Sequence, residues 1–492
     1  MRLNPHLYEI NARIFIRRMS KKYGHPLTLA TIPDEEWHQL ARLGFDLVWL
    51  MGVWERSPGS RQEALRDTAL RQEYDRALPG WTDSDVAGSP YAVHAYKLDP
   101  ALGKPGELAE LKSKLNQQGI AIVLDFVPNH LALDHLWTIS HPDWFVQGKK
   151  EDIDTHPDWF FSMGQGRYIA HGRDPNFPPW TDTAQLNHFS HELRQAQLNE
   201  LRQIAEVADG VRCDMAMLAL NDVFERVWGE IIGDYHRSEA EFWSEAISCL
   251  KKQRPGFLFL GEVYWGFECK LQELGFDFTY DKAFYDRLRF SNAGDVRSYL
   301  LMDSLYQQRS VHFIENHDEL RAVSAFGRER SLAAAVILAT VPGLRFFHDG
   351  QFEGWRVRLP IQLVREPEEA PDSELKEFYH RLLEASKAPA FHAGKWSLLE
   401  VIEPAQEDDS IPKLLAWSWQ YSEQFKIVII NYSPRPAHGW VKLSLLPGAK
   451  GSVQLVDGLT VVRGAYQMDE RGLYIDFKPW QAQILNIPPN LI

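Results

Sequence analysis

Four acidic residues stand where short apolar runs end. Asp125 closes IAIVLD, Asp214 closes GVRCD, Glu262 closes FLFLGE, and Asp318 lies just past His312–Glu315 in ENHD. If those runs are strands of one parallel system, the four carboxylates meet at a single edge. Several carboxylates in one cleft cannot all stay ionised cheaply. Their surroundings separate the pKa values, leaving one protonated as an acid and another charged as a nucleophile. That pairing is the equipment for cleaving a glycosidic bond. Side chains alternate along a strand, so Arg212 and Asp214 point the same way. The guanidinium is expected to lower the pKa of Asp214 and hold it anionic, as a nucleophile requires. Glu262 ends an apolar run, where desolvation raises a carboxyl pKa, and is the expected acid. Alone, Arg212 and Asp214 read better as a structural ion pair at the mouth of a buried strand. The other strand-end carboxylates favour chemistry.

Such residues need a scaffold of strands joined by helices. Tyr8–Phe15 reads as a first strand. Pro33–Leu43 reads as a helix with Pro33 near its start and Gly44 just after it. Strands follow at Asp46–Met51, Ile120–Asp125, Gly210–Asp214 and Phe257–Glu262, near Phe276–Phe278, and at His312–Glu315 and Leu344–Phe347. Helical patterns at Pro105–Gln118, His191–Ala208, around Ala240–Lys252 and at Leu332–Thr340 separate several of them. Eight such units predict a (β/α)8 TIM barrel over residues 1–131 and 190–389. Periodicity fails over 132–189, which reads as an irregular inserted domain after the third strand. A short HPDWF duplication at 141–145 and 156–160 lies inside it. The long polar excursion from Gly52 to about Gly103 reads as a functional loop. From 390 to 492, short strand-like runs (Trp396–Val401, Lys413–Trp419, Lys426–Tyr432, Val441–Leu445, Ser452–Leu455, Ala482–Ile487) predict a C-terminal all-β sandwich.

A chain of 492 residues needs more than one core. Its net charge of −14 argues against nucleic acid or an anionic membrane as the main partner. No run has the length of a transmembrane helix, and the first residues lack the layout of a secretory signal. Three cysteines (Cys213, Cys249 and Cys269) make no disulfide framework, so a reducing cytoplasm is the expected location. Trp81, Trp144, Trp159 and Trp180 sit in polar Gly/Pro-rich stretches. Aromatic faces there suit either sugar rings or the anchoring of long loops.

Taken together, the motifs resemble the signature regions of the α-amylase superfamily, glycoside hydrolase family thirteen, in the expected order. DFVPNH (125–130) is similar to its D-x-x-x-N-H, GVRCD to its G-x-R-x-D, GEVYW to the region around its acid/base Glu, and FIENHD to its F-x-x-N-H-D. AQLN (184–187) resembles a further short motif. GSPYAVHAY (88–96) resembles the stretch supplying a Tyr that stacks on the reacting sugar. The resemblance implies that Asp214 is the nucleophile, Glu262 the general acid/base, and Asp318 the group steadying an oxocarbenium-like transition state. It further implies that His130 and His317 bind hydroxyls of that sugar, that Arg212 orients Asp214, and that Tyr91 is the stacking platform. Asp125 and Asn129 come out as more structural. No cofactor is required by the resemblance; calcium enters as a structural ion, since the Asn belongs to a calcium site in many relatives. The implied substrate is an α-glucan or small α-glucoside, hydrolysed or transferred with retention. Oligomeric state is left open.

Departures limit what the resemblance carries. Relatives that cleave starch often place Lys-His three and four residues after the nucleophile, where this chain has Met217 and Leu218. The stacking stretch usually ends in Asp-Tyr, here Ala95-Tyr96, and FFHDGQFEG (346–354) departs from the usual pattern near strand eight. Two rivals stand beside the glycosidase. His130, His135 and His141 could serve a metal-dependent hydrolase, although their spacing matches no ligand motif. A sugar-binding protein that kept the barrel and lost catalysis is the other. A phosphorylase or isomerase shares the same equipment.

Overall fold

The computed structural model describes residues 1–402, 410–443 and 451–491. Eight parallel strands close into a barrel, each beside its neighbour in chain order: β1 (His6–Asn11), β2 (Leu47–Met51), β3 (Ala121–Phe126), β4 (Gly210–Cys213), β5 (Leu258–Gly261), β6 (Phe278–Tyr280), β7 (Ser310–His312) and β8 (Leu344–His348). Every residue of β2 is buried, as expected where one face fills the barrel and helices cover the other. Gly210 lets β4 and β5 approach. A Cβ there would stand 2.8 Å from Leu258 Cβ and 2.9 Å from Leu258 O.

Most strand ends differ from the sequence reading by a residue, the sixth strand lies at Phe278–Tyr280 rather than Phe276–Phe278, and two boundaries differ for a local reason. The first strand stops at Asn11 rather than Phe15, because the Asn11 side chain accepts from Ile14 N (3.3 Å) and caps a helix over Ala12–Tyr23. Ile14, Phe15 and Met19 bury one face of that helix. The seventh strand covers Ser310–His312, and Phe313–His317 runs on as loop over the barrel mouth.

The excursion after β2 has structure of its own. Trp54–Arg56 pairs with Val93–Leu98, and helices Pro58–Arg66 and Thr68–Ala77 lie between. Ala64, Tyr74, Leu78 and Val86 form a small core there with Leu363, from the loop after β8. In the insertion after β3, His130–Ala132 pairs with Thr183–Gln185 and Phe160–Gly164 with Arg167–Ala170. Both HPDWF copies make the same short 3-10 turn with the His ring flat on the Trp: His141 on Trp144 at 4.0 Å and His156 on Trp159 at 3.8 Å. Arg173 lies 3.6 Å over Trp159, and Trp81 packs on Tyr74. These three tryptophans anchor loops.

Among the described residues, nine antiparallel strands form the C-terminal domain: β9 (Lys395–Leu398), β10 (Val401–Ile402), β11 (Leu414–Tyr421), β12 (Gln424–Asn431), β13 (Ala437–Val441), β14 (Gly451–Asp457), β15 (Arg463–Asp469), β16 (Gly472–Phe477) and β17 (Ala482–Ile487). They make one sheet in the order β9-β11-β12-β17-β14-β15-β16-β13-β10, curled over a core that includes Leu414, Ile429, Leu473 and Leu485. β15 and β16 were not anticipated. Of the run expected at Val441–Leu445, only Val441 lies in a strand, as the last residue of β13; Lys442 and Leu443 follow it outside the strand, and the last two residues lie outside the described residues. The sheet's other face turns Leu415, Trp417, Trp419, Val428 and Ile430 towards the barrel, and Trp419 Nε1 donates to Thr340 O (2.7 Å). Helix Arg328–Thr340, with barrel and sheet on opposite sides, is therefore apolar nearly all round. Among the described residues, no helix is long and apolar enough to cross a membrane.

Candidate active site

At the carboxyl end of the barrel, three carboxylates surround one guanidinium. Arg212, 1 % exposed, brings Nη1 to 2.6 Å from Asp214 Oδ1 and Nη2 to 2.8 Å from Glu262 Oε2. Its Nη1 also lies 3.8 Å from Asp125 Oδ1. Its charge faces the rings of Trp49 and Tyr91, each at 5.0 Å. The strand register sets this arrangement: Arg212 lies opposite Asp125 on one side and Leu260 on the other. The backbone then fastens the loops, with Asp214 N donating to Phe126 O (2.9 Å) and Glu262 N to Cys213 O (3.0 Å).

Glu262 is held from three directions. Tyr264 OH donates to Oε1 (2.8 Å), Met215 N donates to Oε2 (2.7 Å), and Arg212 lies beside Oε2. Met215 adopts a left-handed backbone (φ 41°), a conformation costing a non-glycine residue about 1–3 kcal/mol. Burial pushes Glu262 up to about 7, against the pull of Arg212. The carboxyl is therefore poised to give and take a proton near neutrality. Burial also raises Asp214, and the Arg212 pair only partly offsets it. That direction is opposite to the lowering expected from Arg212 alone, because both partners leave water together.

Asp318 comes from the loop after β7. The Asn316 side chain accepts from Asp318 N (2.9 Å) and Glu319 N (2.8 Å), a turn that presents the carboxylate to the cleft. Its side chain is 46 % exposed there. Surrounding protein pushes its pKa up, but His317 outweighs this and Asp318 sits at about 2. His317 Nε2 lies 3.1 Å from Asp318 Oδ2 and 2.8 Å from Tyr91 OH, while Nδ1 lies 2.5 Å from Glu9 Oε1. Burial would lower His317, yet Asp318 and Glu9 raise it well above the ordinary range, so it is an imidazolium.

Tyr91 turns its ring to the cleft, and His130 lines the same space beside Trp180 (5.0 Å between rings). Burial drives His130 down to about 3, making it a neutral hydrogen-bonding group. Asp125 accepts from Trp49 Nε1 (3.2 Å) and Gly52 N (3.1 Å), and burial lifts it to about 7 against the pull of Arg212. Met217 and Leu218 are buried at 0 % and 2 % exposure and cannot touch a sugar. The cleft holds about 550 Å³, within the range of small-molecule sites.

All seven residues singled out from the sequence thus lie at one barrel mouth. Glu9, Trp49, Tyr264 and Tyr280, whose hydroxyl accepts from Arg212 Nε (3.4 Å), were not anticipated. Tyr264 carried a signal, standing two residues past Glu262. Glu9 carried a weaker one, as a charge inside an apolar strand.

His130, His135 and His141 do not converge. His135 accepts from Trp137 N (3.1 Å), and His141 is stacked on Trp144. Asn129 Oδ1 accepts from Gln185 Nε2 (3.0 Å), and Asn129 Nδ2 donates to Gln185 Oε1 (3.2 Å). This paired amide does not present the oxygen-rich cage that calcium takes. Among the described residues, no group of three or more His, Cys, Asp or Glu side chains could hold a metal ion.

A family model of the alpha amylase catalytic domain matches residues 36–381. Alpha-amylase 3 of Dictyoglomus thermophilum is 24% identical over 300 residues, covering 55% of this chain and 55% of its own length. Alpha-amylase MalA of Haloarcula japonica is 24% identical over 440 residues, covering 87% of this chain and 55% of its own. The chain spans about half the length of these two curated relatives. Among solved structures, the noncanonic maltogenic alpha-amylase AmyB of Thermotoga neapolitana matches with a TM-score of 0.69 at 19% identity, covering 99% of each chain. That likeness is one of fold.

Proposed function

The chain belongs to the alpha amylase catalytic-domain family, and from that premise we propose that it is a retaining α-glycoside hydrolase or transglycosylase acting on α-glucosidic oligosaccharides in carbohydrate metabolism. The observation that carries this reading is Arg212 bridging Asp214 and Glu262 with its two terminal nitrogens. Carboxylates sharing one guanidinium are nearer the close spacing of a nucleophile and its acid than the wider gap that admits a water between them.

Asp214 Oδ bonds to the anomeric carbon as the bond from that carbon to the leaving oxygen breaks. Glu262 gives its proton to that oxygen. Asp318, ionised by its pairing with His317, faces the positive charge that develops on the ring. Glu262, now a carboxylate, then takes a proton from water or from a sugar hydroxyl. The oxygen so activated attacks the same carbon and displaces Asp214, giving net retention. Tyr91, His130 and His317 position the ring, and Arg212 keeps Asp214 aimed. Whether water or a sugar completes the reaction depends on the leaving-group side, where Met217 and Leu218 make no contact. A reducing cytoplasm suits a chain whose cysteines are free thiols.

The test is trapping with 5-fluoro-α-glucosyl fluoride, followed by peptide mass analysis and by NMR of the first product anomer from an α-glucoside panel. A glycosyl adduct on the peptide carrying Asp214, with an α product, is the expected result. A β product would defeat the proposal.

A further inference from the structure

We propose that the cleft stops one sugar ring behind Asp214, so that the protein takes the non-reducing terminal unit of its substrate and cleaves from that end. This rests on the reading above, in which the ring between Tyr91 and Asp318 is the one transferred. The excursion after β2 and the loop after β8 are fastened together across that end of the cleft. Ala87 N donates to Gln362 O and Val364 N to Asp85 O, each at 2.9 Å, two rungs of an antiparallel bridge between Val86 and Leu363. Arg365 grips Asp85 with Nε and Nη2, both at 2.8 Å. Val86 and Leu363 are buried in the small apolar core beneath. Arg358 spans the remaining gap, donating from Nη1 to Asp318 O (3.2 Å) and from Nη2 to Glu73 Oε2 (3.1 Å). The Arg358–Glu73 pair is more than a third exposed and would be a weak latch by itself. The bridge and the buried core make it a wall.

Which end is closed follows from the chemistry. The leaving oxygen must meet Glu262, so the leaving group lies on that side and the transferred ring lies towards Asp318. The wall binds the Asp318 carbonyl and lines the cleft with Ile361 and Gln362. Beyond Ile361, next to His317 and Arg358, lies a void of about 60 Å³. That is room for a few waters, not for a second pyranose. A longer chain therefore enters end first, with its remaining units trailing out past Glu262.

Initial fluoride release from α-glucosyl fluoride and α-maltosyl fluoride tests this on the intact enzyme. The two share a leaving group, and they differ only in placing one ring or two on the Asp318 side. The expected kcat/KM for fluoride release is more than tenfold higher for the glucosyl compound. A ratio of ten or less overturns the wall while leaving the proposed activity standing. Fluoride from neither, at micromolar enzyme, overturns the glycoside-cleaving reading itself.

Discussion

Glu9 Oε1 stands 2.5 Å from His317 Nδ1, so a carboxylate near the end of β1 holds a histidine carried by the loop after β7. With Nε2 shared between Tyr91 and Asp318, both ring nitrogens are engaged, and the imidazolium is fixed in place. Glu9 is thereby a positioning residue for Asp318, at one remove from any sugar.

Glu9→Gln keeps the shape and removes the charge. His317 then loses part of what keeps it protonated, and Asp318 loses its cation. The expected result is a fall in kcat of about ten- to a hundredfold with KM little changed, about 1.4–2.7 kcal/mol of transition-state stabilisation. Stability carries a signature of its own. His317 titrates higher folded than unfolded, so its stabilisation is complete below the unfolded value of about 6.5 and is lost as pH rises through the folded value. The Tm gap between wild type and variant should therefore narrow with rising pH. A gap that widens would contradict the charged pairing.

Asp214→Asn and Glu262→Gln are each expected to remove at least about a thousandfold of turnover on natural glucosides, with far-UV circular dichroism unchanged. They separate on α-glucosyl fluoride, whose leaving group needs no proton. Glu262→Gln should regain its first step there, seen as a burst of fluoride, and Asp214→Asn should not. Equal bursts would exchange or dissolve the two roles.

Because Glu262 acts as an acid and burial holds it near pH 7, kcat/KM should fall as pH rises past about 7. Tyr264 OH donates to Glu262 Oε1 and so favours the carboxylate. Tyr264→Phe removes that bond, which raises the Glu262 pKa and moves the alkaline limb to higher pH. A limb that moves down in the pH–rate profile would show that Tyr264 does not act on this proton.

The barrel was legible because its strands are short apolar runs between helical patterns, and four of them lead to a carboxylate at the barrel mouth. What hid was set by capping and by contacts distant in sequence. NARIFI continues the hydrophobicity of β1, and only the Asn11 cap turns it into a helix. Glu9 has no neighbour in sequence that announces His317, 308 residues away. β15 and β16 alternate exposed and buried residues weakly, and they owe their place to pairing with β14 and β13. The sign of the Asp214 shift could not be read from Arg212 alone, because burial of the pair is a property of the closed barrel.

The paired Asn129–Gln185 amides lead to a test of calcium. With the carbonyl of Asn129 already accepting from Gln185, exhaustive EDTA treatment should leave both Tm and kcat/KM unchanged. A drop in Tm restored by calcium would place a cation site elsewhere in the chain.

Met217 and Leu218 stand where many starch-cleaving relatives carry Lys-His, yet both are packed away at 0 % and 2 % exposure within a 3-10 turn over Ala216–Ala219. Converting them to Met217→Lys and Leu218→His would bury a cation and an imidazole in an apolar layer. The expected cost is about 3 kcal/mol or more of stability, read by urea denaturation at pH 7. No gain in kcat/KM on maltooligosaccharides should accompany it, because both side chains are buried and neither lines the cleft. A double variant with wild-type stability and faster cleavage of long chains would mean that this turn opens to the cleft.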